Sequence, residues 1–317
     1  MTATLVLPGT APEADWVEAR RHGVTASRIA AIMGLSTWNS PYKLYHQMRG
    51  DLPEDPDRDR LELGRVLEPY VCDRFAREHP EFALTGRAND LYAHPDRPWQ
   101  MATPDRIVND IRFDMLEHEP YAVLEAKTSA TWDGYGDDGS DEIPVYYRAQ
   151  ALWQADVIGV SAVFVPVLFL PGAQLRVYEL AIDDDARADL ALMRGEAEDF
   201  LARVRLGDVP PVDWRPATAD ALKQLHPSLD EDREVLISGQ LASRYRAAVR
   251  GLAAAKQKKA LYDNKVREQL GTAHLAVDAA TRQNVARRDV YDLAEKTILR
   301  KASTVDSLMP VKPKDTP

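Results

Sequence analysis

The stretch AVLEAKTS, Ala122 to Ser129, decides how the middle of this chain is read. Its small, apolar and β-branched residues predict a short strand, yet it carries an acid, Glu125, and a base, Lys127, two positions apart. Side chains alternate faces along a strand, so Glu125 and Lys127 share one face while Leu124 and Ala126 share the other. One face is core; the other is a salt bridge or a reactive site. An exposed pair of this kind contributes only about 0 to 1 kcal/mol, so the pair alone selects neither reading.

The flanking sequence alternates strand and helix signals. Strand-like runs around NDLYAH, WQMATPD and RIV precede it, and the Gly/Asp-rich DGYGDDGSDE separates it from IPVYYRAQALWQADVIG, a helix with Pro144 near its start and Gly159 as its stop. AVFVPVLFL and QLRVYELAI, joined by PGA, predict a hairpin. Upstream, Thr25 caps a helix that Gly34 ends, and Ser40-Pro41 opens another that ends before Gly50. Leu63, Leu67, Val71 and Phe75 mark one face of a third helix, in which Pro69 predicts a kink or a new start. Downstream, Asp183 to Gly207 reads as helix, DVPPVDWRP as a crossing, and Leu241 to Val266 as a long helix with rough heptad spacing, ended by Gly271. Strands, helix and strands in this order predict a mixed α/β (α+β) fold: a central mixed sheet flanked by helices, with a C-terminal helical and β extension.

Charge and cysteine content narrow the function. The 317 residues carry a formal net charge of -10, which argues against a simple nucleic-acid-coating protein. The balance is uneven, however: Leu241 to Lys301 holds 14 Lys and Arg against 6 Asp and Glu, and the rest of the chain 26 against 44. That basic region suits duplex phosphates, a partner or oligomer contact, or a solvated helix, and composition does not choose among them. The expected segments are a main domain over 1–207, a linker over 208–233, a basic helix plus small β-rich unit over 234–302, and a loose tail over 303–317. The single cysteine, Cys72, allows neither an intramolecular disulfide nor an iron-sulfur cluster. Without a basic leader or a long apolar span, the chain reads as cytoplasmic, with no membrane partner.

Two more carboxylates give the Glu-x-Lys pair a chemical context. Asp105 follows Pro104 in ATPDR, twenty residues before Glu125, and Glu68 stands at the edge of the apolar stripe of its helix. Carboxylates converging from two strand ends and a helix suit Mg2+, which takes oxygen ligands and keeps several waters. A lysine beside them can orient the attacking water or offset phosphate charge.

The order of Glu68, Pro104-Asp105 and Glu125-x-Lys127 resembles the PD-(D/E)XK nuclease superfamily. More narrowly, Trp16, Arg20, GVTAS (Gly23 to Ser27), Gly64, TPD (Thr103 to Asp105), LEAKT (Leu124 to Thr128) and YRAQ (Tyr147 to Gln150) resemble the lambda-type phage exonucleases, the YqaJ-like viral recombinase family. The resemblance covers Asp15 to Ile182. It implies that Asp105 and Glu125 bind the metal, that Glu68 binds directly or through water, that Lys127 assists the nucleophilic water, and that Gln150 contacts the site. It also implies that Arg20 and Ser27 hold a terminal 5′ phosphate. Free N–H groups at the helix start from Thr25 to Arg28 suit the same anion, and Tyr147 is expected to touch DNA. Arg106 departs from the family's usual glycine, and NDIRFDMLEHEP predicts a surface excursion before Glu125.

The activity so implied is a Mg2+-dependent exonuclease, with Mn2+ as a substitute, degrading one strand of linear double-stranded DNA from its 5′ end. The resemblance further implies a homo-oligomeric ring, a trimer in the family, and a single-strand annealing recombinase that takes the 3′ tail. The alternatives are a structure-specific or restriction-like endonuclease using the same site, and a non-enzymatic DNA-binding scaffold that recruits a recombinase. Trp16 is expected in the core; Tyr146, Trp38 and Trp132 divide between packing and contact with bases. Cys72, beside the apolar stripe, is expected to be buried and inert.

Overall fold

The computed structural model describes residues 3–53, 59–111, 120–170 and 172–290. The chain forms two compact units, Met1–Pro227 and Ser228–Pro317.

The first unit opens with β1 (Thr4–Leu7), α1 (Glu13–Arg21), β2 (Val24–Thr25), α2 (Ala26–Ile32), α3 (Pro41–Arg49) and α4 (Asp59–Glu78). It continues through β3 (Phe82–Thr85), β4 (Leu91–Ala93), β5 (Gln100–Ala102), β6 (Arg106–Asp110), β7 (Ala122–Leu124) and β8 (Lys127–Ser129). It closes with α5 (Val145–Ile158), β9 (Ala162–Phe169), β10 (Gln174–Ala181), α6 (Asp184–Leu206) and α7 (Pro216–Leu225). The main sheet runs β10-β9-β7-β6-β3, with β8 also on β9; a smaller sheet runs β1-β4-β5-β2. Because β7 and β8 lie parallel to β9 while β9-β10, β6-β7 and β3-β6 are antiparallel, the sheet is mixed, as expected.

Every residue of β9 is buried, because helices cover both faces. Val163, Val165, Val167 and Phe169 join the core that contains α2, α5 and α6. Ala162 and Phe164 point the other way, to Phe75 and Cys72 of α4. Trp153, fully buried on α5, donates its indole N–H to the carbonyls of Val24 and Met101, both at 3.2 Å, and so ties α5 to the smaller sheet. Gly23 permits that sheet's close approach: a Cβ there would stand 2.6 Å from the Trp99 carbonyl oxygen.

Helix ends follow the sequence. Ser40 Oγ accepts the Lys43 N–H at 3.1 Å, Asp183 Oδ1 accepts that of Ala186 at 2.8 Å, and Gly50, Gly159 and Gly207 close their helices in the left-handed region. Pro69 lies within α4, which starts ten residues before it and continues past it as one helix. The stripe expected on α4 is buried only at Val71 and Phe75, and Leu63 is 45% exposed.

Three further expectations change. The predicted strand 122–129 is two strands interrupted at Glu125 and Ala126. Across from the interruption stands Pro166, whose missing N–H cannot donate the next rung, while the register on either side stays in phase (Leu124 with Phe164, Lys127 with Val167). The second change lies in the segment read as a linker over 208–233. Up to Pro227 it belongs to the first unit and contains α7, whose Ala221 packs on Tyr42 and Leu52; proline at the first helical position starts this helix rather than breaking a chain. Thirdly, β1 and α1 occupy a segment for which no element was expected. Of the acidic excursion, Asn109 and Asp110 are the last residues of β6 and 112–119 lie outside the described residues, as do 54–58 of the connecting loop, 291–302 of the expected β-rich unit and the 303–317 tail.

In the second unit, α8 (Gly239–Leu270) is capped by Ser238, whose Oγ accepts the Leu241 N–H at 3.2 Å, and none of its residues is buried. β11 (Leu275–Val277) and β12 (Asn284–Arg287) follow as an antiparallel pair.

Candidate active site

The interruption between β7 and β8 is where the acids meet. Glu125 is 4% exposed and still donates its backbone N–H to Phe164 (2.9 Å). The next N–H, of Ala126, leaves the ladder and donates to Asp105 Oδ2 at 2.7 Å, so the carboxylate before β6 takes up an amide the sheet does not use. The expected alternation survives the break: Glu125 and Lys127 face α5, and Ala126 packs toward α4.

Both oxygens of Glu125 are held. Oε1 accepts from the Lys127 ammonium, an ion pair, and from the Gln150 amide at 2.5 Å; Oε2 accepts from Gln154 at 2.7 Å. Gln154 was not expected from sequence. The available signal was its spacing, since a residue four after Gln150 shares its helix face. Its Oε1 has no hydrogen-bond partner although fully buried.

Glu68, Asp105, Glu125, Lys127 and Gln150 line a cavity of about 640 Å³ together with Ser27. Burial and then the Glu125 charge push the Asp105 carboxyl well above the usual carboxylate range, with Lys127 opposing. The same two influences raise Glu68, opposed by Arg106, Lys127 and Arg65. Burial works to lower Lys127, but the Glu125 and Asp105 charges outweigh it and the net direction is upward, which keeps it an ammonium. Arg106, where the family usually has glycine, lies 3.9 Å from Glu68 and is bonded to the Asp105 carbonyl. Burial pushes the Cys72 thiol up to about 12, leaving it unreactive.

The expected phosphate group assembles in part. Arg20 Nη2 donates to Ser27 Oγ at 3.3 Å, and Thr25 Oγ1 lies 3.1 Å from the same oxygen, so Thr25 spends its hydroxyl on Ser27 rather than on a helix N–H. Arg28 is buried and turns its guanidinium to the carbonyls of Arg20 (2.5 Å) and Gly23 (3.4 Å), where it braces the α1–β2 turn. Arg20 also lies over Trp16, 4.3 Å from the ring centre, and Glu18 contacts Arg21 and His22. Trp16 is half-buried against the Leu91 cluster. Tyr147 lines the cavity beneath Lys127, whose ammonium stands 5.0 Å from the ring centre.

These parts define an α/β protein with carboxylates and a lysine gathered where a mixed sheet is interrupted. Residues 15–161 match the model of the YqaJ-like viral recombinase domain, the family the sequence resembles. A relative from Bacillus subtilis (strain 168), the uncharacterized protein YqaJ, is 23% identical over 222 residues, which span 70% of this chain and 66% of that protein, just under two thirds. Among solved structures, the alkaline exonuclease LHK-Exo from Laribacter hongkongensis is 22% identical with a TM-score of 0.48, covering 61% of this chain and 93% of that one. LHK-Exo in complex with dAMP matches equally. No described helix is long and apolar enough to cross a membrane.

Proposed function

We propose that this chain is a cytoplasmic Mg2+-dependent exonuclease that degrades one strand of linear duplex DNA from its 5′ end and leaves a 3′ single-stranded tail. The observation that carries the reading is the convergence of Glu68, Asp105 and Glu125 with Lys127 on one cavity. Among the described residues no three carboxylate, histidine or cysteine side chains already stand together as a closed metal site. The donor chemistry nonetheless fits a hard cation: Glu68 and Asp105, both raised by burial and by the charge of Glu125, offer with it the oxygen ligands and charge such an ion takes.

Asp105 and Glu125 would hold the ion, with Glu68 beside them; when bound, it would supply Lewis-acid activation of water and of a phosphodiester oxygen. Lys127 holds a proton and a positive charge at Nζ, where it orients the nucleophile and offsets phosphate charge. Gln150 and Gln154 fix the rotamer of Glu125. Arg20 and Ser27 bind the 5′ phosphate, Thr25 holds the Ser27 hydroxyl in place, and Arg28 shapes that turn from beneath. Gly64, whose Cβ position is open space on the cavity wall, leaves room for the strand. Family likeness extends the proposal to a homo-oligomeric ring and an annealing recombinase as partner.

Linear duplex labelled at the 5′ or the 3′ end, beside a closed circle, tests the reading with Mg2+ and with EDTA. Mg2+-dependent loss confined to linear DNA, beginning at the 5′ end and faster with a 5′ phosphate, is expected. Cutting of the circle would move the protein to the endonucleases, and no cutting of either would leave a DNA-binding scaffold.

A further inference from the structure

The cavity mouth beyond the carboxylates is aromatic. Trp38, in the loop between α2 and α3, is 47% exposed and lies on the cavity wall. It meets Tyr146 edge-on, 4.8 Å between ring centres, and tilts against Tyr147 at 6.2 Å. Tyr147 in turn carries the Lys127 ammonium on its ring. One tyrosine ring therefore separates the indole from the charged centre, the scale on which a nucleotide holds its base from its phosphate.

An indole so exposed forgoes much of the burial that normally fixes a tryptophan, yet its loop is held from several sides. Ser36 Oγ accepts the N–H groups of Trp38 (3.2 Å) and Asn39 (3.1 Å), and Asn39 donates to Gln47 Oε1 at 3.0 Å. The N–H groups of Leu35 and Ser36 both return to the Ala30 carbonyl, and Arg215 binds the carbonyl of Gly34. The loop presents Trp38 in a set position, so a ligand stacking there pays little to order it.

We infer that Trp38 is a base-stacking subsite for the nucleobase adjoining the phosphodiester at Lys127 and Glu125. This rests on the nuclease reading. A flat apolar face next to an ammonium and a set of cation-binding carboxylates matches a nucleotide, apolar at its base and anionic at its phosphate, better than an apolar peptide side chain. Because every base has a π face, the subsite accepts all four bases.

The test uses linear duplexes with 2-aminopurine, or an abasic residue, at each of the first three nucleotides from the 5′ end. With EDTA, binding by the wild-type protein quenches 2-aminopurine at one of these positions; Trp38→Ala loses the quench and Trp38→Phe keeps part of it. With Mg2+, removing the base at that position slows the wild type about fivefold or more, on the scale of one base–aromatic stack, and leaves Trp38→Ala unaffected. A quench unchanged in Trp38→Ala, or a slowing by the abasic residue equal in both proteins, overturns the subsite. Wild-type protein that quenches but never cuts with Mg2+ overturns the nuclease reading alone, so the two failures are told apart.

Discussion

Gln154, fully buried on α5, donates its amide to Oε2 of Glu125 at 2.7 Å, one helical turn beyond Gln150, which donates to Oε1 at 2.5 Å. Two amides on one helix face thus hold one carboxylate by both oxygens. Groups that orient a metal-binding carboxylate typically change affinity or activity about 10- to 100-fold when removed. Gln154→Leu is expected to lower kcat by about tenfold or more while KM for DNA changes little, since Gln154 is not exposed to substrate. Single-turnover cleavage beside thermal melting checks this; wild-type kcat in a folded variant removes Gln154 from the site.

Lys127 is the ammonium bound to Glu125 and lies near Asp105 and Glu68. Lys127→Ala is expected to abolish cleavage while circular dichroism and DNA binding stay close to wild type, because the cavity's solvent lets the acids take up protons. Retained cleavage would refute the assignment.

Asp105→Asn separates charge from structure. The asparagine carbonyl can still accept the Ala126 N–H, so the strand break should keep its geometry, but an anionic ligand is lost. Titration calorimetry with Mg2+ should show the binding heat of the wild type reduced at least about tenfold in affinity. Equal affinity in the two proteins places the ion elsewhere.

Asp213 anchors the start of α7. Its Oδ1 accepts from the Arg215 N–H (3.0 Å) and the Thr218 hydroxyl (2.5 Å), and Oδ2 pairs with the Arg215 guanidinium (2.6 Å). Burial works to raise its pKa, but these hydrogen bonds and the Arg215 charge outweigh it and hold the carboxyl below its usual range. A folded-state value lower than the unfolded one gives stability that is present above about pH 4 and is lost as pH falls through the folded value. Asp213→Asn should therefore melt below wild type at pH 7, by the worth of about 1 to 3 kcal/mol, and the gap should narrow as pH falls below about 4. A gap independent of pH shows that the charge is not what holds α7.

Much of the site was legible because its parts are local in sequence. Glu125 and Lys127 share a face through strand alternation alone, which needs no knowledge of what lies opposite. Ser40, Asp183 and the closing glycines announce helix ends through their own backbone chemistry. Arg28 shows the limit: an arginine in the first turn of a helix reads as an anion donor, and only the fold turns it onto the Arg20 and Gly23 carbonyls. Gln154 was missed for the converse reason, since a glutamine among Trp153 and Ala155 looks like one more core position until a carboxylate is placed beside it.

By itself the sequence determined the residue types, their order along the chain, and the periodicities that put each on a helix, a strand or a turn. The tertiary structure alone decided that Pro166 would face the middle of AVLEAKTS and interrupt the ladder there, that the Ala126 N–H, pointing away from β9, would meet Asp105, and that α7 would pack on α3 where a linker was expected. The physical reason is that periodicity is set by bonds between near neighbours. Which rung fails, and which carboxylate arrives to take up the Ala126 amide, depends on partners 40 and 21 residues away that only packing brings together.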